Sequence, residues 1–379
     1  MQKKLIALAI AGLSSAAFAQ SNVTISGNLD MGYQQQSLQT AAAMDVRGVA
    51  ANGSSTSTIT IAGSESLGGG MTASFQFGND LGAGASSASS VINAGSSFLK
   101  LAGGFGAVTL GNINTASLVA VGASNPFGTA FGGGYSGNFS RLSRAGVNGT
   151  WHTTGPEGEF GTQTSAATVA ASGAANSGSR MVRANSSFMY NTPVMSGFSG
   201  SLQWAGKNSD AAVAAAANTP GLVELGLAYN NGPLNVHYVN SQVTVGTGAG
   251  AVAPLGAVAE KVTHNVLAAN YTFGPATVYG GWTSSKSSIA ATADSRSWNL
   301  ALKYAVSGAL SLAANILRVD DKLVGNSDRN LNGLGLDYAM SKRTTAYVRY
   351  ENGDNDKSAV VGNGTGNFSR TAVGMRHTF

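Results

Sequence analysis

A chain of 379 residues with a formal charge of +5, 10% charged residues, 52 glycines and no cysteine excludes several classes at once. Without thiols there is neither a disulfide framework nor a thiolate metal site. The basic excess is small and nowhere clustered, which argues against a nucleic-acid partner.

Met1 to Ala19 reads as a secretory signal peptide. Lys3 and Lys4 form a positive n-region, Leu5 to Leu13 an apolar h-region, and Ala17-Phe18-Ala19 a small-x-small cleavage site. The apolar core is well short of the roughly 20 residues that span a bilayer as a helix. The mature chain, residues 20–379, is therefore expected to start at Gln20, and loss of the two lysines lowers the formal charge from +5 to +3. No later apolar run approaches the length of a membrane helix.

In the mature chain, apolar residues come singly, alternating with Ser, Thr, Gly, Asn and Gln, which is the period-2 signature of strands. Val23 to Tyr33 alternates, a polar interval follows from Ser37 to Ser54, and Thr58 to Glu65 resumes the pattern. Gly68-Gly69-Gly70 turns the chain into Met71 to Phe77; after the polar interval Asn79 to Asn93, Ser97 to Leu101 and Ala107 to Leu110 are joined by Gly103-Gly104-Phe105-Gly106. From Ile113 to Ser179 there is no sustained period, and a structureless connection this long is expected only where it is functional.

Beyond it the rhythm returns as pairs of runs: Val182–Tyr190 with Phe198–Trp204, Leu222–Tyr229 with Leu234–Val245, Val262–Phe273 with Ala276–Ser284, Arg296–Tyr304 with Leu310–Val319, and Leu331–Ala339 with Thr345–Tyr350. A single run, Phe368–Phe379, closes the chain. Short turns such as Asn231-Gly232-Pro233 and Gly274-Pro275 alternate with longer loops, and the count is about sixteen strands.

Length decides between a soluble sandwich and a membrane barrel. Runs of about ten residues, at roughly 3.3 Å each and tilted about 40°, cover roughly 25 Å, the height of a lipid-facing band. Sandwich strands are commonly five or six residues. Aromatics also gather near the ends of the runs: Tyr33, Phe75, Phe77, Tyr190, Trp204, Tyr229, Tyr271, Phe273, Trp282, Tyr338, Tyr350 and Phe379. The expected fold is an all-β, transmembrane antiparallel barrel of about sixteen strands, because strands can cross hydrocarbon only when closed edge to edge. A ring that wide cannot be filled by side chains, so its interior is water, and Ile113 to Ser179 is long enough to fold back inside it.

Four stretches carry a family resemblance: the signal peptide running into Val23-Thr24-Ile25-Ser26-Gly27, Ile61 to Gly70, Gly104-Phe105-Gly106-Ala107-Val108-Thr109-Leu110-Gly111, and Val373-Gly374-Met375-Arg376-His377-Thr378-Phe379. Together they resemble the general diffusion porins of Gram-negative outer membranes, especially the β-proteobacterial type. The resemblance implies an outer-membrane homotrimer passing small hydrophilic solutes by passive diffusion, with residues 113–179 as the constriction loop inside each barrel. It further implies that terminal Phe379, with Val373, Met375 and His377 on the same face, is read by the outer-membrane assembly machinery. Lipid and lipopolysaccharide are the other expected partners.

Alternation assigns the charges. If Leu99 and Leu101 face lipid, Lys100 faces water, and counting from Phe188 and Tyr190 turns Arg183 inward. The same parity places Asp30, Glu224, Lys303, Asp337, Arg349, Arg370 and Arg376 in the lumen, where low-dielectric walls concentrate their field. The resemblance makes Lys100 and Arg183 the basic wall of an eyelet facing an acidic loop. Thr58 and Asn112 stand where the family usually has arginine, and Asn125 where an aspartate precedes Pro-Phe-Gly; Glu157 and Glu159 are candidates for the acidic side. Mild anion preference is the expected sign.

No enzyme, metal or cofactor is expected. His152, His237, His264 and His377 are scattered over loops and separate strands, and Gly103 to Gly106 lacks the helix and lysine of a phosphate loop. Two other functions stay open: a solute-specific channel with a track of Phe127, Phe131, Tyr135 and Trp151, and an adhesive barrel whose pore is incidental.

Overall fold

The computed structural model describes residues 22–38, 44–81, 95–128, 183–206, 221–245, 260–288, 294–321, 328–355 and 368–379. The signal peptide and residues 129–182 of the long central interval lie outside them. The strand segments are β1 (Asn22–Leu38), β2 (Met44–Ala51), β3 (Thr58–Gly68), β4 (Met71–Asp80), β5 (Ser97–Gly103), β6 (Gly106–Asn114), β7 (Arg183–Asn191), β8 (Phe198–Ala205) and β9 (Gly221–Asn231). They continue as β10 (Leu234–Val245), β11 (Glu260–Phe273), β12 (Ala276–Ser287), β13 (Ser295–Ala305), β14 (Leu310–Asp321), β15 (Arg329–Ala339), β16 (Thr344–Asn355) and β17 (Phe368–Thr378). One helix, α1 (Ala116–Ala123), follows β6.

From β3 to β17 each segment pairs antiparallel with the next, and β17 returns to β1, from Asn28 opposite Thr378 to Leu38 opposite Phe368. β2 and β3 lie end to end on the other flank of β1: Ala51 to Met44 oppose Met31 to Leu38, and Ser64 to Thr58 oppose Asn22 to Asn28. They make one barrel strand interrupted by Asn52–Ser57, so the ring is a closed antiparallel barrel of sixteen strands.

The interrupted strand corrects the polar interval expected from Ser37 to Ser54. β1 runs on to Leu38, and Met44–Ala51 is itself a strand, with Arg47 and Val49 outward and Ala50 buried. Its two valines, Val46 and Val49, are three apart, which hides the period of 2.

Along the regular strands the alternation sets an inverted core. In β13, Ser295, Ser297, Asn299 and Ala301 are buried while Trp298, Leu300, Leu302 and Tyr304 are exposed. The outward aromatics Tyr33, Trp204, Tyr271, Phe273, Trp282, Tyr338, Tyr350 and Phe379 are between 40% and 55% exposed, a belt that water would not tolerate and hydrocarbon covers. The tight turns all fall at one end of the barrel. Gly232 and Gly274 adopt a φ of +55° there, which a Cβ would strain, and each is followed by a proline that fixes the next φ.

Candidate functional site: the internal segment and the lumen wall

Thr115 ends the extended backbone and caps α1, its hydroxyl accepting the Leu118 amide at 3.1 Å. The first turn is aimed at Glu224 of β9, which is fully buried. Its carboxylate accepts the Ala116 and Ser117 amides, the Ser117 hydroxyl at 2.6 Å and the Ser241 hydroxyl at 2.5 Å. A buried carboxylate is stable when every lone pair has a donor, and the positive end of a helix favours it further. Ala120 and Val121 then press into an apolar patch of Leu222, Val239, Val243, Val266 and Ala268, whose side chains point into the lumen.

The helix ends on the wall as deliberately as it begins. The Val121 carbonyl accepts from the Ser124 hydroxyl at 2.8 Å and the Asn125 side-chain amide at 2.9 Å, while Asn125 Oδ1 accepts the Phe127 amide. Wall amides take the last carbonyls: Asn270 of β11 donates to Ala123 at 2.9 Å, and Asn299 of β13 to Ser124 at 2.6 Å. Three inward glycines mark the route. A Cβ on Gly226 or Gly281 would stand 2.8 Å from the Cβ of Ala116 or Ser124, and one on Gly335 would enter the Phe127 ring. Residues 115–128 thus hug the wall from β9 to β16.

The segment's far end meets a group of charged residues. Arg349 of β16 has its guanidinium 5.5 Å from the Phe127 ring and 5.4 Å from the Tyr347 ring, and donates to Asp337 at 2.7 Å and to the Ser54 hydroxyl at 3.1 Å. Asp30 is fully buried, opposite Arg376 in the register, and accepts the Ser54 and Ser55 amides and the Tyr347 hydroxyl. Arg370 and Glu351 form a buried pair at 2.5 Å. Arg376 lies on the inward side between exposed Met375 and His377.

The basic wall is different. Lys100 of β5 points inward between Leu99 and Leu101, flanked by Ser74 and Thr109, with no hydrogen bond or ion pair to a described residue. Arg183 sits at the start of β7, where a shift at Gly111/Ile113 and a φ of +50° at Ser186 break the alternation counted from Phe188. Its guanidinium reaches past the end of the short β5 to Asp80, at 2.7 Å, and donates to Asn114. Asn125 uses its side chain within the segment itself, and Glu157 and Glu159 lie outside the described residues, as do Phe131, Tyr135 and Trp151. Phe379 exchanges two backbone hydrogen bonds with Gly27, at 3.1 and 3.2 Å.

Sequence reading listed Glu224 only as a lumenal charge and missed Ser241, Asn270 and Asn299. The available signal was the inward apolar residues around them: a water-filled lumen has no use for Leu222, Val239 or Val266 at inward positions unless something lies over them. Below α1 a cavity of about 240 Å³ is left against β7–β10, lined in part by Asn191, Ser199, Ser201, Asn230 and His237.

Comparison with known proteins agrees with this geometry. A family model described as Gram-negative porin matches residues 5–358. The outer membrane porin protein 32 of Delftia acidovorans is 28% identical over 352 residues, 92% of this chain and 88% of the relative. Among solved structures, an anion-selective porin from Comamonas acidovorans superposes with a TM-score of 0.70 at 22% identity, over 95% of this chain and 100% of that one. A trimer form of OmpT from Vibrio cholerae gives 0.60 at 16% identity, over 95% and 99%.

Proposed function

Because the chain belongs to the Gram-negative porin family, whose place is the outer membrane, we propose that it forms a weakly anion-selective, water-filled channel for small hydrophilic solutes. The observation that carries this reading is a closed ring of sixteen strands, too wide for side chains to fill, with small and polar residues inside apart from the apolar patch under α1, where residues 115–128 lie along the wall. The proposed constriction is residues 113–179, with Lys100 and Arg183 on one side and Glu157 and Glu159 on the other.

The sign follows from which charges are already paired. Arg349 with Asp337, Arg370 with Glu351 and Arg183 with Asp80 largely cancel, and Glu224 is compensated by the start of α1. Lys100 and Lys303 have no ion pair with a described residue, and their field is concentrated in the aqueous lumen. The similar Comamonas protein is described as anion-selective, which supports the same sign. Recording the purified protein in a planar bilayer under a salt gradient tests pore and sign together: a reversal potential of anion polarity is expected, cation polarity would reverse the sign, and no current would end the channel reading.

A homotrimer embedded in lipid and lipopolysaccharide is the proposed assembly, supported by the trimer form of the similar OmpT. Chemical cross-linking in detergent should give a three-protomer band. Phe379 is the proposed signal for the assembly machinery, its ring on the lipid side. Deleting it should lower the yield of folded barrel in the outer membrane, and an unchanged yield would remove that role. A solute-specific channel is the second reading, favoured by the cavity below α1, whose lining sets Asn191, Ser199, Ser201 and Asn230 beside Met189, Leu227 and Val239. Concentration-dependent block of the current by a neutral polyol would establish it.

A further inference from the structure

The six residues Asn52–Ser57 occupy a place in the ring that needs only two. Ala51 pairs with Met31 and Thr58 with Asn28, so an uninterrupted strand would put two residues opposite Leu29 and Asp30. The four extra residues turn inward rather than toward lipid, since Ser54 and Ser57 are buried and the side chains that meet the excursion, Asp30, Tyr347 and Arg349, are themselves buried at inward positions.

The excursion has a built shape. Asn52 takes a φ of +66°, a left-handed turn that asparagine tolerates, and its Oδ1 accepts the Ser57 amide at 2.6 Å. Asp30 Oδ2 accepts the Ser54 and Ser55 amides at 2.7 and 2.6 Å. The Tyr347 hydroxyl, 2.6 Å from Asp30 Oδ1, lies under Gly53, where a Cβ would come within 2.5 Å of it. Arg349 completes the connection, with Ser54 on one side of its guanidinium and the Phe127 ring on another.

We infer that Asn52–Ser57 is a second constriction element of the channel, continuous through Arg349 with the internal segment. This rests on the channel reading above and goes beyond it, because the narrowing then involves two segments from different parts of the chain. The arc they form is electrically quiet: Arg349 is matched by Asp337, and Asp30 by two amides, a hydroxyl and the facing Arg376. The excursion therefore limits the size of what passes, while the sign of selectivity is set elsewhere.

Register supplies the test. Deleting residues 53–56 leaves Asn52 and Ser57 to fill the two vacant places, restoring a straight strand without moving any other pair. Single-channel conductance of the deletion should rise by roughly 1.5-fold or more, as the narrowest cross-section widens, with a smaller shift of the reversal potential in a salt gradient than Lys100→Glu gives. A second variant works in the opposite direction: Ser55→Trp adds bulk at a half-buried position of the excursion and should lower conductance in the same recordings. If the deletion fails to give a heat-modifiable folded band, Ser55→Trp decides alone. Wild-type conductance in Ser55→Trp, or in a folded deletion, would overturn the inference. A change of reversal potential on deletion as large as that of Lys100→Glu would overturn the division between size and sign. Absence of any channel in the unmodified protein would instead defeat the earlier reading.

Discussion

Along β9 to β16 the inward positions carry an apolar patch, small residues, asparagines and a buried carboxylate, and residues 115–128 lie over them; along β4 and β5, Ser74, Gln76 and Lys100 stay half-exposed, with no described segment laid over them. Both walls share one alternation and one lipid-facing belt, so the difference does not come from how the strands are made. It comes from what the inward residues are used for. Charges on the covered wall attach a segment to it, and the charge on the open wall is left to act on whatever passes. A lumenal charge therefore has to be classed by its partners before it is given a role in selectivity.

Breaking the covered wall at its strongest point should have the largest effect. Glu224→Leu strands two amides and one of the two hydroxyls, since Ser117 and Ser241 also bond each other at 2.9 Å, each costing about 1–3 kcal/mol when left unpaired, so α1 should detach and single-channel recordings should show a larger, noisier open current. A quiet trace of wild-type size would mean that the apolar patch holds the segment unaided. Next comes Gly335→Val, whose side chain must displace the Phe127 ring at a cost of about 1–3 kcal/mol. Gly280→Val, with nothing within 4 Å of its Cβ, is its matched control, and thermal melting should separate the two.

The open wall should answer differently. Lys100→Glu leaves the fold untouched and moves the reversal potential toward cations, whereas Arg349→Met, which removes a paired charge, moves it less. Equal shifts in the two variants would erase the distinction between the walls. The smallest effect belongs to Asp80→Asn. Its ion pair with Arg183 is about a quarter exposed and worth under about 1 kcal/mol, so stability should hardly change while anion preference increases slightly as one negative charge is lost beside Arg183.

Much of this was legible in the residues because the period of 2 is local. β13 declares its two faces within eleven residues, and the turn at Gly274-Pro275 declares its own geometry. What escaped was non-local or irregular. Glu224 lies 108 residues from Ala116, and nothing in the neighbourhood of either announces the other. The bulge at Ser186 shifts parity by one and so misdirects any count toward Arg183. Met44–Ala51 was lost because its valines are out of phase and because Asn52-Gly53-Ser54-Ser55 reads as an ordinary loop. Asn125 looked like a departure from an aspartate. In place, its amide nitrogen donates to Val121, which an ionised carboxylate cannot do.

The contact between β1 and β17 has a kinetic consequence. It joins the two extremes of the described chain, and Tyr347 to Asp30 spans 317 positions, so sealing the ring is the most entropically demanding event in its maturation. Until that event both margins carry unmatched amides and carbonyls that hydrocarbon will not solvate. Insertion is therefore expected to be concerted with closure, the nascent sheet being chaperoned rather than released into the bilayer half-formed.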